Sequence, residues 1–321
     1  MAFLKITGIT KYGDDGPILR NVSFSQRRSH RIAIIGETGS GKSTLLKIIA
    51  GLIQPDAGEV FFENKVLSGP GERLVPGHPE VGYLSQDYDL PKFLRIEQVL
   101  EYSRTLSKEE ANRIFEICQI DHLYNRKTDH ISGGERQRIA IARLLVSYPK
   151  VLLLDEPFSN LDRGHKAILK TVVADIEAKL KIGVILVSHD PEDILPWADA
   201  IIVMKEGKIL QKGTAESIYQ KPSTEYTAGL LGNYTLIDPA KSIFSKYLNN
   251  NGRKRKKILV RPEAFDVHLK KKRGVSGRVI SVNYFGTHDE VTVDCGGESI
   301  CISTVPFLLK AGKKVHVSLK V

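Results

Sequence analysis

Gly36-Glu37-Thr38-Gly39-Ser40-Gly41-Lys42-Ser43-Thr44 sets Gly36, Gly41, Lys42 and Ser43 at the four fixed positions of G-x-x-x-x-G-K-[ST]. The run before it, Arg31 to Ile35, is apolar enough for a buried parallel strand. The run after it, Leu45 to Ala50, carries apolar residues at helical spacing. A glycine-rich turn with a chance lysine would lack these flanks. Between a strand and a helix, Gly36, Gly39 and Gly41 let the backbone N–H groups face inward beside a helix N-terminus, which makes an anion cradle. Lys42 supplies a point charge for outer phosphates and Ser43 a hydroxyl for Mg2+.

The chain has 321 residues, which suits two domains. Its hydrophobic share of 41% and charged share of 26% are those of a soluble globular protein, which excludes a disordered or fibrous chain. The N-terminus has no basic start followed by a long apolar core, so no signal peptide is expected. No apolar run approaches the roughly 20 residues of a membrane span. Any membrane role is therefore expected to be peripheral. Cys118, Cys295 and Cys301 make neither a metal-ligand cluster nor a disulfide framework. Cys295 and Cys301 could face each other across a hairpin, but reduced thiols in a cytoplasmic protein are the expectation.

Further candidates lie at strand ends. Val81 to Ser85 reads as a short strand that delivers Gln86 into a loop, where it is either a contact for Mg2+ and water or a solvated side chain. Val151 to Leu154 is a fully apolar strand ending in Asp155 and Glu156. In a parallel sheet ligands gather at the carboxyl ends of strands, so both acids are expected beside the phosphate loop. Asp155 fits an acid that orients Mg2+, and Glu156 is placed to polarise an attacking water. Val184 to Val187 is another buried strand, and it brings His189 to the same edge, where an imidazole could hold the outermost phosphate. Ser132 caps a helix opened by Gly133 and Gly134, a second anion site without its own lysine. Ser159 to Asp162 reads as a turn and Ile168 to Leu180 as a helix. Tyr12, among polar turn residues, is either a base platform or surface filler.

Taken in order, these motifs resemble the nucleotide-binding subunit of an ATP-binding-cassette (ABC) transporter. GETGSGKST resembles the Walker A loop, Gln86 the Q-loop glutamine, and ISGGERQ from Ile131 the family signature. LLLDEP resembles Walker B with its adjoining glutamate, Ser159 to Asp162 the D-loop, His189 the switch histidine, and Tyr12 the aromatic that stacks on adenine. The resemblance implies an α/β fold: a P-loop NTPase cassette with a helical subdomain at about 87–148, within an ATPase domain at 1–232. It implies ATP hydrolysis with Mg2+ held by Ser43, Gln86 and Asp155, and catalysis by Glu156, His189 and Gln86. It also implies a head-to-tail homodimer in which Ser132, Gly133, Gly134 and Glu135 act on the partner's nucleotide, with Ser159 and Asp162 at the interface. Glu135 replaces the usual glutamine and would add a charge near the partner's γ-phosphate. The implied partners are integral membrane permease subunits and a substrate-binding protein, with the ATPase peripheral on the inner face of the cell membrane. The permease contact is expected at Gln86 to Arg95, with Tyr88 and Leu90 exposed.

The tail differs. From Lys246 onward 16 basic residues face 6 acidic ones, leaving 31 of each in the rest of the chain. Such asymmetry fits nucleic acid, anionic lipid or a plain solvated face. Gly277 to Asn283, Glu290 to Asp294 and Lys314 to Leu319 alternate as half-buried strands, which predicts a small all-β, barrel-like domain at 233–321. VRPEAFDV and NYFGTHDEVTVD within it resemble the TOBE domain of importer cassettes for sugars, polyamines or ferric iron. The reading is a transport-coupled ATPase with no nucleic-acid partner expected. The alternative is a soluble ABC-type ATPase acting on nucleic acid or ribosomes, but such proteins usually carry two cassettes or long inserted arms.

Overall fold

The computed structural model describes residues 3–67, 69–72, 76–88, 90–245, 257–270 and 274–320. The turn read at Asn249 to Gly252, and all but Lys257 of the basic run from Arg253, lie outside the described residues. The chain divides into two compact units, Met1–Ile218 and Tyr219–Val321.

The first unit contains β1 (Leu4–Gly13), β2 (Gly16–Gln26), β3 (Arg31–Ile35), α1 (Lys42–Ile49), β4 (Ala57–Phe62), β5 (Lys65–Val66), β6 (Val81–Leu84), α2 (Ile96–Glu101), α3 (Lys108–Ile117), α4 (Gly133–Leu145), β7 (Val151–Asp155), α5 (Arg163–Leu180), β8 (Gly183–Val187), α6 (Pro191–Ile194), β9 (Ala200–Lys205) and β10 (Lys208–Gly213). Helix α7 (Ala215–Gln220) straddles the division.

Two sheets build this unit. One is antiparallel, in the order β2-β1-β4-β5; the other runs β10-β9-β3-β8-β7-β6. In the second sheet β9, β3, β8, β7 and β6 are mutually parallel. The apolar runs at β3, β7 and β8 are buried because such a sheet is covered on both faces. Helix α1 buries Leu45, Leu46, Ile48 and Ile49 in the core shared by both sheets. Each such side chain contributes about 1.5–3 kcal/mol. The register pairs Val187 with both Ile34 and Asp155, and Leu154 with Leu84. The chain therefore leaves β3, β6, β7 and β8 at one level, along one edge. Helices α2, α3 and α4 fall in the expected helical insertion. Ser107 and Glu110 open α3 with a capping box, and Ala111, Ile114 and Phe115 form its buried face.

The second unit contains α8 (Glu225–Leu230), β11 (Thr235–Ile237), β12 (Ile258–Val260), β13 (Phe265–His268), β14 (Val275–Tyr284), β15 (Asp289–Cys295), β16 (Glu298–Thr304) and β17 (Lys314–Leu319). Its main sheet has the order β13-β17-β14-β15-β16, a curled half-barrel, and β11 pairs with β12 beside it. Alternate residues Val291, Val293 and Cys295 face a core with Ile300, Ile302, Val315 and Val317. Cys295 lies opposite Glu298, and Cys301 opposite Thr292; both thiols are free. The sheet has no ladder of exposed aromatics along its strands, but Tyr284 and Phe307 pair at one end, 5.1 Å between ring centroids, and both are exposed.

Arg261 ties the first residues of the second unit together. This buried guanidinium donates to the carbonyls of Tyr219, Ala228, Gly232 and Asn233 at 3.0–3.1 Å. It also lies 4.2 Å from the Tyr219 ring centroid. Residues 219–233 are thus bound into the second unit by one side chain from its own sequence.

Candidate active site

The phosphate loop leaves β3 and enters α1 at Gly41, whose φ is 94°. A Cβ there would stand 2.7 Å from Leu19 Cδ2 and 2.8 Å from the Ile18 carbonyl oxygen, so β2 approaches too closely for any other residue. That approach also brings the β1–β2 hairpin to the loop. Tyr12, opposite Pro17 in this hairpin, is 59% exposed, and its N–H donates to Asp56 Oδ2 at 2.6 Å. Glu37, Thr38 and Gly39 are exposed, Gly36 and Ser40 are buried, and Thr44 is half-buried.

Lys42 is buried, and its ammonium donates to the carbonyls of Gly36 and Glu37, each at 2.8 Å. Burial lowers its pKa, while Glu156, Asp155 and Glu37 act in the opposite direction. Phosphate oxygens, being charged, are stronger acceptors than these carbonyls.

Ser43 donates its hydroxyl to Asp155 Oδ1 at 3.0 Å, and Tyr83 donates its own to Asp155 Oδ2 at 3.1 Å. Burial raises the Asp155 pKa; the two hydroxyls work against that rise. The Tyr83 phenol is pushed up by burial and by Asp155. Tyr83 was not singled out from the sequence. The only signal for it was a polar-tipped side chain in β6, and that gains meaning only once β6 is known to lie beside β7. Two oxygen donors on a partly desolvated carboxylate and a hydroxyl suit Mg2+. Among the described residues no group of three or more His, Cys, Asp or Glu side chains could hold a metal ion.

Glu156 follows with φ 49°, a left-handed conformation that costs a non-glycine residue energy. Its N–H donates to the Val187 carbonyl at 3.0 Å, which ties the end of β7 to the end of β8. Its Oε2 lies 3.3 Å from His189 Nδ1, and His189 is 67% exposed. The edge thus brings together Lys42, Ser43, Asp155, Glu156 and His189. Gln86 is exposed in the turn after β6, and no hydrogen bond joins it to this cluster among the described residues.

The family profile described as ABC transporter matches residues 19–159, and the TOBE domain profile matches residues 258–320. The chain is 34% identical over 301 residues to the Fe(3+) ions import ATP-binding protein FbpC 1 of Rhodococcus jostii, covering 88% of this chain and 85% of that one. The chain belongs to the ABC transporter family. It is an import-type ATP-binding subunit with a TOBE domain, and its reaction is ATP hydrolysis. Other ABC transporter subunits align over nearly its whole length. The sulfate/thiosulfate import ATP-binding protein CysA of Synechocystis is 30% identical, covering 98% of this chain and 93% of that one. The spermidine/putrescine import ATP-binding protein PotA of Spiroplasma citri is 30% identical, covering 99% and 95%. Among solved ABC structures, cbiO1 from Clostridium perfringens superposes with a TM-score of 0.60 at 28% identity, covering 68% of this chain and 90% of that one. The cassette MJ0796, in a dimeric post-hydrolysis state bound to ADP and Pi, gives 0.58 at 26%, covering 66% and 98%.

This ABC subunit departs from the sequence reading in the segment from Gln86 to Arg95 and at the start of α5. Tyr88 is half-buried and Leu90 is buried, so neither is the exposed contact expected between Gln86 and Arg95; Phe93 is the exposed aromatic there. Glu135 keeps its charge and is engaged by Ser132 of its own chain. Its Oε2 accepts the Ser132 N–H at 2.7 Å, and its own N–H donates to Ser132 Oγ at 3.2 Å. That capping box holds the Glu135 carboxyl below its usual range. Asp162 is the N-cap of α5, which begins at Arg163 rather than Ile168, and Ser159 Oγ donates to the Glu156 carbonyl at 2.8 Å. No helix among the described residues is long and apolar enough to cross a membrane.

Proposed function

We propose that two copies of this chain close head to tail on ATP and drive a membrane permease from its cytoplasmic side. Tyr12 stacks on the base. The loop from Gly36 to Thr44 cradles the phosphates, and Lys42 moves from its loop carbonyls to the outer phosphates. Ser43 and Asp155 would hold Mg2+, with Gln86 joining on closure, and a bound ion would supply charge neutralisation at the phosphate oxygens. Glu156 takes a proton from the attacking water, and His189 holds the γ-phosphate on the opposite side. Ser132 and Gly133, with the open helix N-terminus behind them, complete the partner's site, and Ser159 and Asp162 lie at the dimer interface.

The observation that carries this reading is the Glu156–His189 pair, 3.3 Å apart, at the strand edge where Asp155 meets Ser43. Relatives named for import of ferric iron, sulfate or thiosulfate, and spermidine or putrescine support a small hydrophilic ion as cargo, delivered by a substrate-binding protein. We assign residues 1–232 to ATP hydrolysis and 233–321 to dimerisation or regulation.

The test is Glu156→Gln. Steady-state hydrolysis should fall at least about a hundredfold while ATP binding persists, and ATP should trap a dimer visible by mass. Near-normal turnover would overturn the role of Glu156. Co-purification with a permease, and ATP-dependent uptake by vesicles containing both, test the transport part.

A further inference from the structure

Strand β1 reaches Tyr12 through a stretch where its pairing with β2 is irregular. The register shifts between Ile6 and Ile9, between Ile9 and Lys11, and again between Lys11 and Tyr12. Opposite Tyr12 stands Pro17, which has no N–H to offer the ladder. Side chains supply bonds here. Ser23 Oγ accepts the Gly8 N–H at 2.8 Å, and Thr10 Oγ1 accepts the Asn21 N–H at 3.1 Å. Both of these bonds stay inside the β1–β2 hairpin.

Asp56 comes from outside the hairpin, from the segment between α1 and β4. Its Oδ2 accepts the Tyr12 N–H at 2.6 Å, and its Oδ1 accepts from Lys11 Nζ at 3.0 Å. Its own N–H donates to the Thr10 carbonyl at 2.9 Å. One residue therefore holds Thr10, Lys11 and Tyr12 in succession. The next residue, Ala57, pairs with Thr10 and opens β4. The Tyr12 N–H and then the Lys11 ammonium hold the Asp56 carboxyl below its usual range. It is thus a charged acceptor at neutral pH, the stronger kind. Lys11 balances that charge, so the anchor adds no net charge against an anionic ligand. The Tyr12 ring is mostly exposed, so its direction depends on the backbone that Asp56 fixes.

We propose that Asp56 is a positioning residue for nucleotide binding, one that holds the Tyr12 platform in place relative to the phosphate loop. Asp56 lies shortly after α1, the helix whose first turn carries Lys42 and Ser43. The base platform and the phosphate cradle are therefore joined by one short segment, as well as by the close approach of Gly41 to β2. The inference rests on the reading of Tyr12 as the residue that stacks on the base.

A double-mutant cycle on the full chain tests it, using Asp56→Ala, Tyr12→Ala and the pair, with Asp56→Asn as the conservative variant. Affinity for ATP, affinity for inorganic tripolyphosphate, kcat, KM and melting temperature are measured for each. Tripolyphosphate has no base, so it reads the phosphate loop alone. Tyr12→Ala should weaken ATP binding about tenfold through loss of the stack. Asp56→Ala should weaken it about fivefold and raise KM to match, with kcat within about twofold of wild type, because the base takes no part in the chemical step. Tripolyphosphate affinity should stay within about twofold in both. Asp56→Asn keeps an oxygen for the Tyr12 N–H and should restore most of the ATP affinity. In the Tyr12→Ala background, Asp56→Ala should cost nothing further. Wild-type ATP affinity in Asp56→Ala beside a weakened Tyr12→Ala would overturn the positioning role alone. Equal weakening of ATP and tripolyphosphate, additive losses, or an asparagine variant as weak as the alanine one would also overturn it. Wild-type ATP affinity in Tyr12→Ala would show instead that the reading of Tyr12 has failed.

Discussion

Tyr83 donates its phenolic hydroxyl to Asp155 Oδ2, the oxygen that Ser43 does not engage, at 3.1 Å. The two hydroxyls between them set the plane of a carboxylate that burial would otherwise leave underbonded. An acid with both oxygens fixed presents a cation with a single orientation, and such supporting bonds tune metal affinity.

Tyr83→Phe removes one hydroxyl and little volume. It should weaken Mg2+ binding about tenfold, read as the Mg2+ concentration needed to retain a fluorescent ATP analogue, without change in binding of metal-free ATP. An unchanged Mg2+ requirement would show that Tyr83 merely packs.

Ser132→Arg puts a bulky cation on the N-cap of α4. Hydrolysis should be lost, while ATP binding by the isolated subunit stays within about threefold, because the damaged surface serves the partner's nucleotide. Equal loss of ATP binding by the monomer would contradict an arrangement across two chains.

Glu135→Ala breaks the capping box and should lower stability by about 0.5–2 kcal/mol in chemical denaturation, whereas Glu135→Gln should keep it. The sign of the pH effect follows from the depressed carboxyl pKa. The contribution is fully present above the ordinary glutamic acid pKa and is lost as pH falls through the lower folded value. The glutamine variant should lack this acid-dependent step. A normal step in Glu135→Gln would mean that another carboxylate produces it.

Arg261→Ala strips a charged donor from four carbonyls within the second unit. Loss of several charge-assisted hydrogen bonds should destabilise that unit by about 3 kcal/mol or more. Lysine should rescue little, since one ammonium cannot span the acceptors of a planar fork. Limited proteolysis around residues 219–233 reads the effect directly. Unchanged protection would place the strength of this segment elsewhere.

The α/β core, the phosphate loop and the positions of Asp155, Glu156 and His189 were legible because each depends on local order. An unbroken apolar run makes a buried strand, and the residue after it must emerge at the sheet edge. Glycine spacing before a helix has the same local character. Other features depended on which segments meet. Tyr83 matters only because β6 lies beside β7, and the Glu135 carboxylate is tied to Ser132 only because that residue caps α4 and the side chain folds back on it. Leu90, a loop residue with no strand or helix periodicity around it, is buried in the folded chain. Arg261, far along the chain, reaches back to the carbonyls of Tyr219, Ala228, Gly232 and Asn233. Side-chain reach across sequence distance leaves no periodic mark in the chain, so these relationships first became visible in the tertiary structure.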